Sequence, residues 1–196
     1  MGVYSARLTG TSYLFFEMRI VADLMLKGLS KTDIDELVRE QNLFQYRTPR
    51  SIKKRLGAIF TRLEVLDQQL LTMLAHGDTQ NAKLVALYSI LKTDTLFFEF
   101  CIEVLREKYL TNQESIDVVD FRNFFSHKGE QSTVVLSWHE YTVYKLRQVY
   151  TRILRESGLL KGAKKLTISP TVMDLGLKNH LRQIGEEQFV LAMLGG

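Results

Sequence analysis

Thr48-Pro49-Arg50-Ser51-Ile52-Lys53-Lys54-Arg55-Leu56, running on through Ile59, Arg62 and Leu63, is the stretch that decides the fold class of this 196-residue chain. Threonine brings a hydroxyl for the free amides of a first helical turn, and proline suits the next position because its missing donor would have no partner there. Beyond that start Ile52, Leu56, Ile59, Leu63, Leu66, Leu70 and Met73 recur at an average of about 3.5 residues, which is one helical stripe. The spacing predicts a single long helix reaching Ala75, stopped by His76-Gly77-Asp78.

Helical spacing continues on both sides, and only two prolines occur, Pro49 and Pro170. Upstream, a helix is expected from about Ser12 to Lys27, closed by Gly28, and a shorter one after Ser30, whose partner Asp33 follows three residues later and which ends near Asn42. Downstream, helices are expected over 79–91, 94–109 and 115–126. The second of these is apolar nearly all round at Leu96–Ile102 and is read as the central core helix. Thr133–Leu136 reads as a short strand, and Ser137 with Glu140 as a capping box opening a helix that Gly158 ends. Lys164–Ser169 alternates as a second short strand up to Pro170, before one or two last helices.

The expected fold is mainly α: a helical bundle with an N-terminal helix-turn-helix-like unit and a C-terminal winged-helix-like part carrying at most a short β-hairpin. Two domains are expected, 1–75 and 76–196, with a basic wing near 158–170.

Several kinds of chemistry find no support in the residues. The longest early apolar run, Leu14–Leu26, is broken by Glu17, Arg19 and Asp23, so it suits neither a bilayer span nor a signal peptide, and a cytoplasmic protein is expected. The lone Cys101 lies in an apolar run and reads as a buried thiol. His76, His127, His139 and His180 stand far apart, with no metal-ligand spacing. Gly158-Leu159-Leu160-Lys161-Gly162 has the wrong interval for a phosphate loop and lacks the Lys-Ser/Thr after it. No nucleophile elbow or dinucleotide fingerprint is present. Neither a cofactor, a metal nor a catalytic residue is expected, and the chain reads as a non-enzyme.

Charge is the positive signal. The net charge is +4, yet residues 1–62 sum to +5, 63–127 to −5 and 128–196 to +4, and the pI of about 9.1 just passes the value typical of nucleic-acid binders. Between Arg47 and Arg62 there are six basic residues and no acid. At 100° per residue Arg50, Lys53 and Lys54 fall about 80° to 180° from the centre of the apolar stripe, facing outward. Cations at a helix start oppose its dipole, so stability alone would not place them there, and phosphate is the economical reason. Arg55 and Arg62 fall at the flanks of the stripe, where they can cover core or pair with acids as readily as meet a ligand.

The C-terminal half repeats the pattern. In the expected helix from Trp138 to Ser157, the buried face is Val143, Leu146, Val149, Tyr150, Ile153 and Leu154, and the outer face carries Tyr141, Tyr144, Lys145, Gln148, Arg152 and Arg155. Those are the side chains that donate to phosphates. Lys161, Lys164 and Lys165 follow in the expected wing. With Arg47, these two faces make double-stranded DNA the expected partner.

The chain also resembles the BrxA family of BREX phage-defence systems. The resemblance is carried by Tyr4-Ser5-Ala6-Arg7-Leu8-Thr9-Gly10, Glu17-Met18-Arg19, Asn42-Leu43-Phe44-Gln45, Thr48–Ser51 with Arg55, Arg62-Leu63, and the segment from Trp138 to Leu160. It implies a small helical DNA-binding accessory protein, encoded with a methyltransferase, a phosphatase-like protein and ATPases, that contributes to host modification or phage exclusion. The alternative from a different class is a protein-protein adaptor that assembles other BREX components without touching DNA, through the acidic middle or exposed aromatic groups.

Overall fold

A computed structural model describes residues 4–194, with the backbone alone for Pro49 and Arg50. It is mainly helical, and its contacts group into two compact units, Tyr13–Thr93 and the remainder. The boundary expected at 75/76 falls instead inside the first unit, between two helices that pack on each other.

That unit contains α1 (Phe15–Leu26), α2 (Lys31–Glu40), α3 (Pro49–Leu63), α4 (Gln68–His76) and α5 (Thr79–Thr93). Ser30 starts α2 through a reciprocal capping box with Asp33, which holds that carboxyl below its usual range. Thr48 does precede α3, but its hydroxyl bonds Ser51 Oγ at 2.7 Å instead of capping a backbone amide.

The expected single helix to Ala75 is two helices. The chain turns after Leu63, and Asp67 caps α4 by accepting from the Leu70 amide at 2.9 Å. Leu63, Leu66 and Leu70 remain buried across the break, which is why their spacing hides it. The turn lets α4 pack along α1, where the Arg19 guanidinium donates to the carbonyls of Ala75 (2.9 Å) and Gly77 (3.3 Å) and closes the C-terminal end of α4. Helix α5 is buried without interruption from Leu84 to Leu91.

The second unit holds a 3₁₀ turn (Arg7–Gly10), α6 (Thr95–Phe100), a π-helical segment (Cys101–Arg106), α7 (Glu107–Leu110), β1 (Ser115–Ile116), α8 (Val118–Gln131), α9 (Thr133–Leu136) and α10 (Glu140–Glu156). It closes with β2 (Leu160–Lys161), β3 (Leu166–Ile168), α11 (Leu175–Gln183) and α12 (Glu187–Ala192).

The helix expected over 94–109 therefore keeps its extent but changes geometry midway. Leu96, Phe97, Phe100 and Cys101 are buried as expected, and burial pushes the Cys101 thiol up. Phe100 packs with Phe121 and Phe124, and Phe97, Phe100 and Phe125 surround Tyr150, with ring centroids 4.6–6.0 Å apart. Tyr150, Leu146, Ile153 and Leu154 fix the inner face of α10 on that aromatic core. Its opposite face is thereby turned to solvent.

Three local expectations are corrected. Thr133–Leu136 is helical: the Val135 amide donates to Ser132 Oγ at 3.4 Å, and buried Val135 packs a short turn beside α8. Ser115 and Ile116 are strand, and α8 opens later through an Asp117–Asp120 capping box. Ser137 does not cap α10; its hydroxyl donates to the Val134 carbonyl, and His139 takes the cap position without a side-chain bond.

The expected strand before Pro170 is β3, and it lies in the middle of a small antiparallel sheet ordered β1-β3-β2. Leu160 pairs with Ile168 and Lys161 with Thr167, while Ser115 pairs with Thr167 and Ile116 with Leu166. Among the described residues no helix is long and apolar enough to cross a membrane.

Candidate nucleic-acid interface

The outer face of α10 and the β2–β3 hairpin enclose an open cleft of about 960 Å³. Lys145, Arg147, Arg152 and Arg155 line it from the helix, and Lys161 and Lys164 from the hairpin. Thr9, Gln148 and Thr151 add neutral polar groups, and Glu156 is the one acidic residue of the lining.

Six like charges around one concave space repel one another, and they are only loosely neutralised within the protein. Arg152 stands 4.0 Å from Glu156, and among the described residues the other five cations form no ion pair. Such a wall raises the local concentration of anions.

The hairpin owes its shape to Gly162. At a φ of 89°, a Cβ there would stand 2.1 Å from the Lys165 carbonyl oxygen, so the turn that presents Lys161 and Lys164 needs a residue without one. Gly158, at φ 93°, ends α10 and lets the chain double back along it as β2.

Of the residues expected from the sequence, Lys145, Gln148, Arg152, Arg155, Lys161 and Lys164 come together in this cleft. Lys165 is exposed but outside the lining. Tyr141 and Tyr144 stand beside it: Lys145 Nζ is 5.3 Å from the Tyr141 ring centre, and Gln148 Nε2 donates to Tyr144 Oη at 2.8 Å. Arg147 was missed, although it lies three residues after Tyr144 and eight before Arg155, a helical spacing that could have found it.

The first unit carries the other expected face. Arg47, Lys53 and Lys54 are exposed, and Lys53 and Lys54 make no ion pair among the described residues; the Arg50 side chain lies outside them. Arg55 and Arg62 are structural. The Arg55 guanidinium lies 4.1 Å over the Tyr46 ring, whose phenol is pushed up to about 12 by burial and by its hydrogen bond to Glu17. Arg62 is 3% exposed and donates to the Tyr13 carbonyl at 3.1 Å.

A model of the BrxA family matches residues 2–185. The chain belongs to the BrxA family. Its similarity extends to a BREX protein BrxA from Bacillus cereus (strain H3081.97), 37% identical over 194 residues that cover 98% of this chain and 97% of the relative. The chain is also 24% identical to a BREX protein BrxA from Paramagnetospirillum magneticum (strain ATCC 700264 / AMB-1), across 96% of this chain and 94% of the other. A crystal structure of an uncharacterized protein from Magnetospirillum magneticum shares the fold, with a TM-score of 0.85 at 23% identity over 97% of both chains.

Many residues that carried the resemblance to the BrxA family turn out to be architectural: Arg19 on α4, Glu17 and Arg55 on Tyr46, Arg62 on Tyr13, and Tyr4 donating to Glu99 at 2.7 Å. The cleft is formed mainly by the family-like segment from Trp138 to Leu160 together with the hairpin, with Thr9 of the Tyr4–Gly10 stretch at its lining.

Proposed function

We propose that the chain is a non-enzymatic accessory protein of a BREX anti-phage system that binds the phosphate backbone of double-stranded DNA with little sequence preference and works beside other BREX proteins. The observation that carries this reading is the cleft itself: cations on both walls, helix on one side and hairpin on the other, with one carboxylate among six positive side chains. Lys and Arg donors without an opposing carboxylate set favour phosphate oxygens, which position a duplex but do not read its bases. A helix followed by a basic hairpin is also the order in which winged-helix proteins meet a duplex, and the exposed Lys53 and Lys54 on α3 supply a second cationic face.

The test is a fluorescence-anisotropy titration of a labelled duplex across salt. Each neutralised phosphate contributes a slope of roughly −0.9 in the logarithm of the association constant against log salt, so occupation of the cleft should give a slope of about −3 to −5. Reversing Arg152, Arg155 and Lys161 to Glu should weaken binding at least tenfold while the circular dichroism spectrum stays the same. Absence of binding at about 50 mM salt, or a triple variant that binds as the native chain does, would refute the reading.

A further inference from the structure

Tyr141 and Tyr144 are not accounted for by phosphate contact alone. What they present is ring surface. Tyr141 is 67% exposed and Tyr144 44%, and the two rings stack one turn apart on α10 with centroids 6.5 Å apart and planes within 27°. Neither belongs to the buried core, so folding does not require an aromatic residue at either position.

The rings are nevertheless held in place, and the holders come from the cleft wall. Lys145 Nζ lies 5.3 Å from the Tyr141 ring centre, the Arg147 guanidinium 5.1 Å from that of Tyr144, and Gln148 donates to the Tyr144 hydroxyl. All three of these residues line the cleft. A polyanion lying among the six cations therefore passes two ordered aromatic groups at its edge.

A duplex keeps its bases stacked inside, where these rings cannot reach them. An unpaired strand leaves its base faces free, and aromatic rings beside a cationic groove are the recurrent means of holding such bases. An apolar protein surface would also cover two tyrosines, but it would leave the cations around each ring without a counter-charge. We infer that Tyr141 and Tyr144 form a stacking platform for unpaired bases, so that the preferred ligand of the cleft is DNA in which a single-stranded segment adjoins duplex. The inference rests on the DNA-binding reading of the cleft and adds the form of the DNA.

Two labelled probes decide it, a blunt duplex and the same duplex with a single-stranded tail containing 2-aminopurine. The native chain should bind the tailed probe at least about fivefold more tightly, the lower end of what stacking one base contributes, and should quench the 2-aminopurine. Y141L/Y144L should bring the ratio of the two affinities close to one and abolish the quenching. Y141F/Y144F, which keeps the rings and removes the hydroxyls, should retain both. Equal affinity of the native chain for the two probes, or a preference that survives in the leucine pair, overturns the platform while leaving duplex binding intact. Failure of the native chain to bind either probe overturns both readings together.

Discussion

Arg47, Lys53, Lys54, Arg55 and Arg62 carry the same charge in one stretch of sequence, and the fold separates them by what surrounds each. Arg62 is buried against the Tyr13 carbonyl, while Lys53 and Lys54 face solvent. Removing a buried charge-assisted donor leaves its acceptor unpaired, so Arg62→Met should lower stability by about 2–3 kcal/mol. Lys53→Glu and Lys54→Glu should each change it by less than about 0.5 kcal/mol. Urea denaturation of the three variants checks both statements. Tyr150 offers the opposite case: it is fully buried among Phe97, Phe100 and Phe125, and its hydroxyl has no hydrogen-bond partner among the described residues. Tyr150→Phe is accordingly expected to be neutral or to stabilise by up to about 1 kcal/mol, and a clear loss in the same assay would contradict that. Composition could mark these residues as basic or aromatic, but burial depends on neighbours supplied by the segment before α1 and by α6 and α8.

At the scale of elements, the hairpin and the π-helical segment make separate predictions. Gly162→Ala forces a Cβ onto the Lys165 carbonyl and should both destabilise the protein by about 1–3 kcal/mol and reduce duplex affinity, because Lys161 and Lys164 lose their common wall. Melting and anisotropy on the same sample test the pair of effects. The π-helical segment and α6 carry Glu103 and Glu99 to the buried ammonium of Lys128 on α8, at 2.5 and 2.7 Å. Burial pulls that ammonium's pKa down, but the two carboxylates outweigh it and hold the pKa above its usual value. The stabilisation is therefore complete below the unfolded pKa of about 10.4 and is lost as pH rises through the folded value. Lys128→Met should cost about 3 kcal/mol, the low end for a broken buried pair because both carboxylates are part-exposed, a gap that stays constant from about pH 6 to 9 and narrows above about pH 10.5.

Helical periodicity located α1, α2, α5 and α10, whose amphipathic or uniformly apolar patterns are local properties. It ran α3 into α4 because Leu63, Leu66 and Leu70 keep a common apolar spacing through the turn. The β-branched Thr133-Val134-Val135 read as strand, yet Val135 buried beside α8 and the Ser132 cap make that segment a helical turn. Ser115 and Ile116 form a strand solely because Thr167 and Leu166 meet them, a pairing across some fifty residues that no local pattern announces.

For the molecule as a whole, the proposed DNA binding draws on two cationic faces, one in each compact unit, and charge reversal tests each face by itself. Lys53→Glu with Lys54→Glu should weaken duplex binding, as should Arg152→Glu with Arg155→Glu, and the combined variant should lose about the sum in free energy if the faces act independently. Salt titrations of all four proteins would show it, each reversed pair lowering the slope by roughly 2. A pair that leaves the slope unchanged takes no part in binding. Periodicity and composition alone determined that this chain is mainly helical and that its basic residues gather at two places on outer helix faces, because helix pattern and linear charge density are both short-range properties. Tertiary structure decided that α10 and the hairpin close on each other, bringing six cations from separate segments around one cleft, and that Arg55 and Arg62 serve the fold instead. The physical reason is that concavity and burial arise only when elements distant in sequence pack, and a side chain's charge does not reveal which neighbours it will meet.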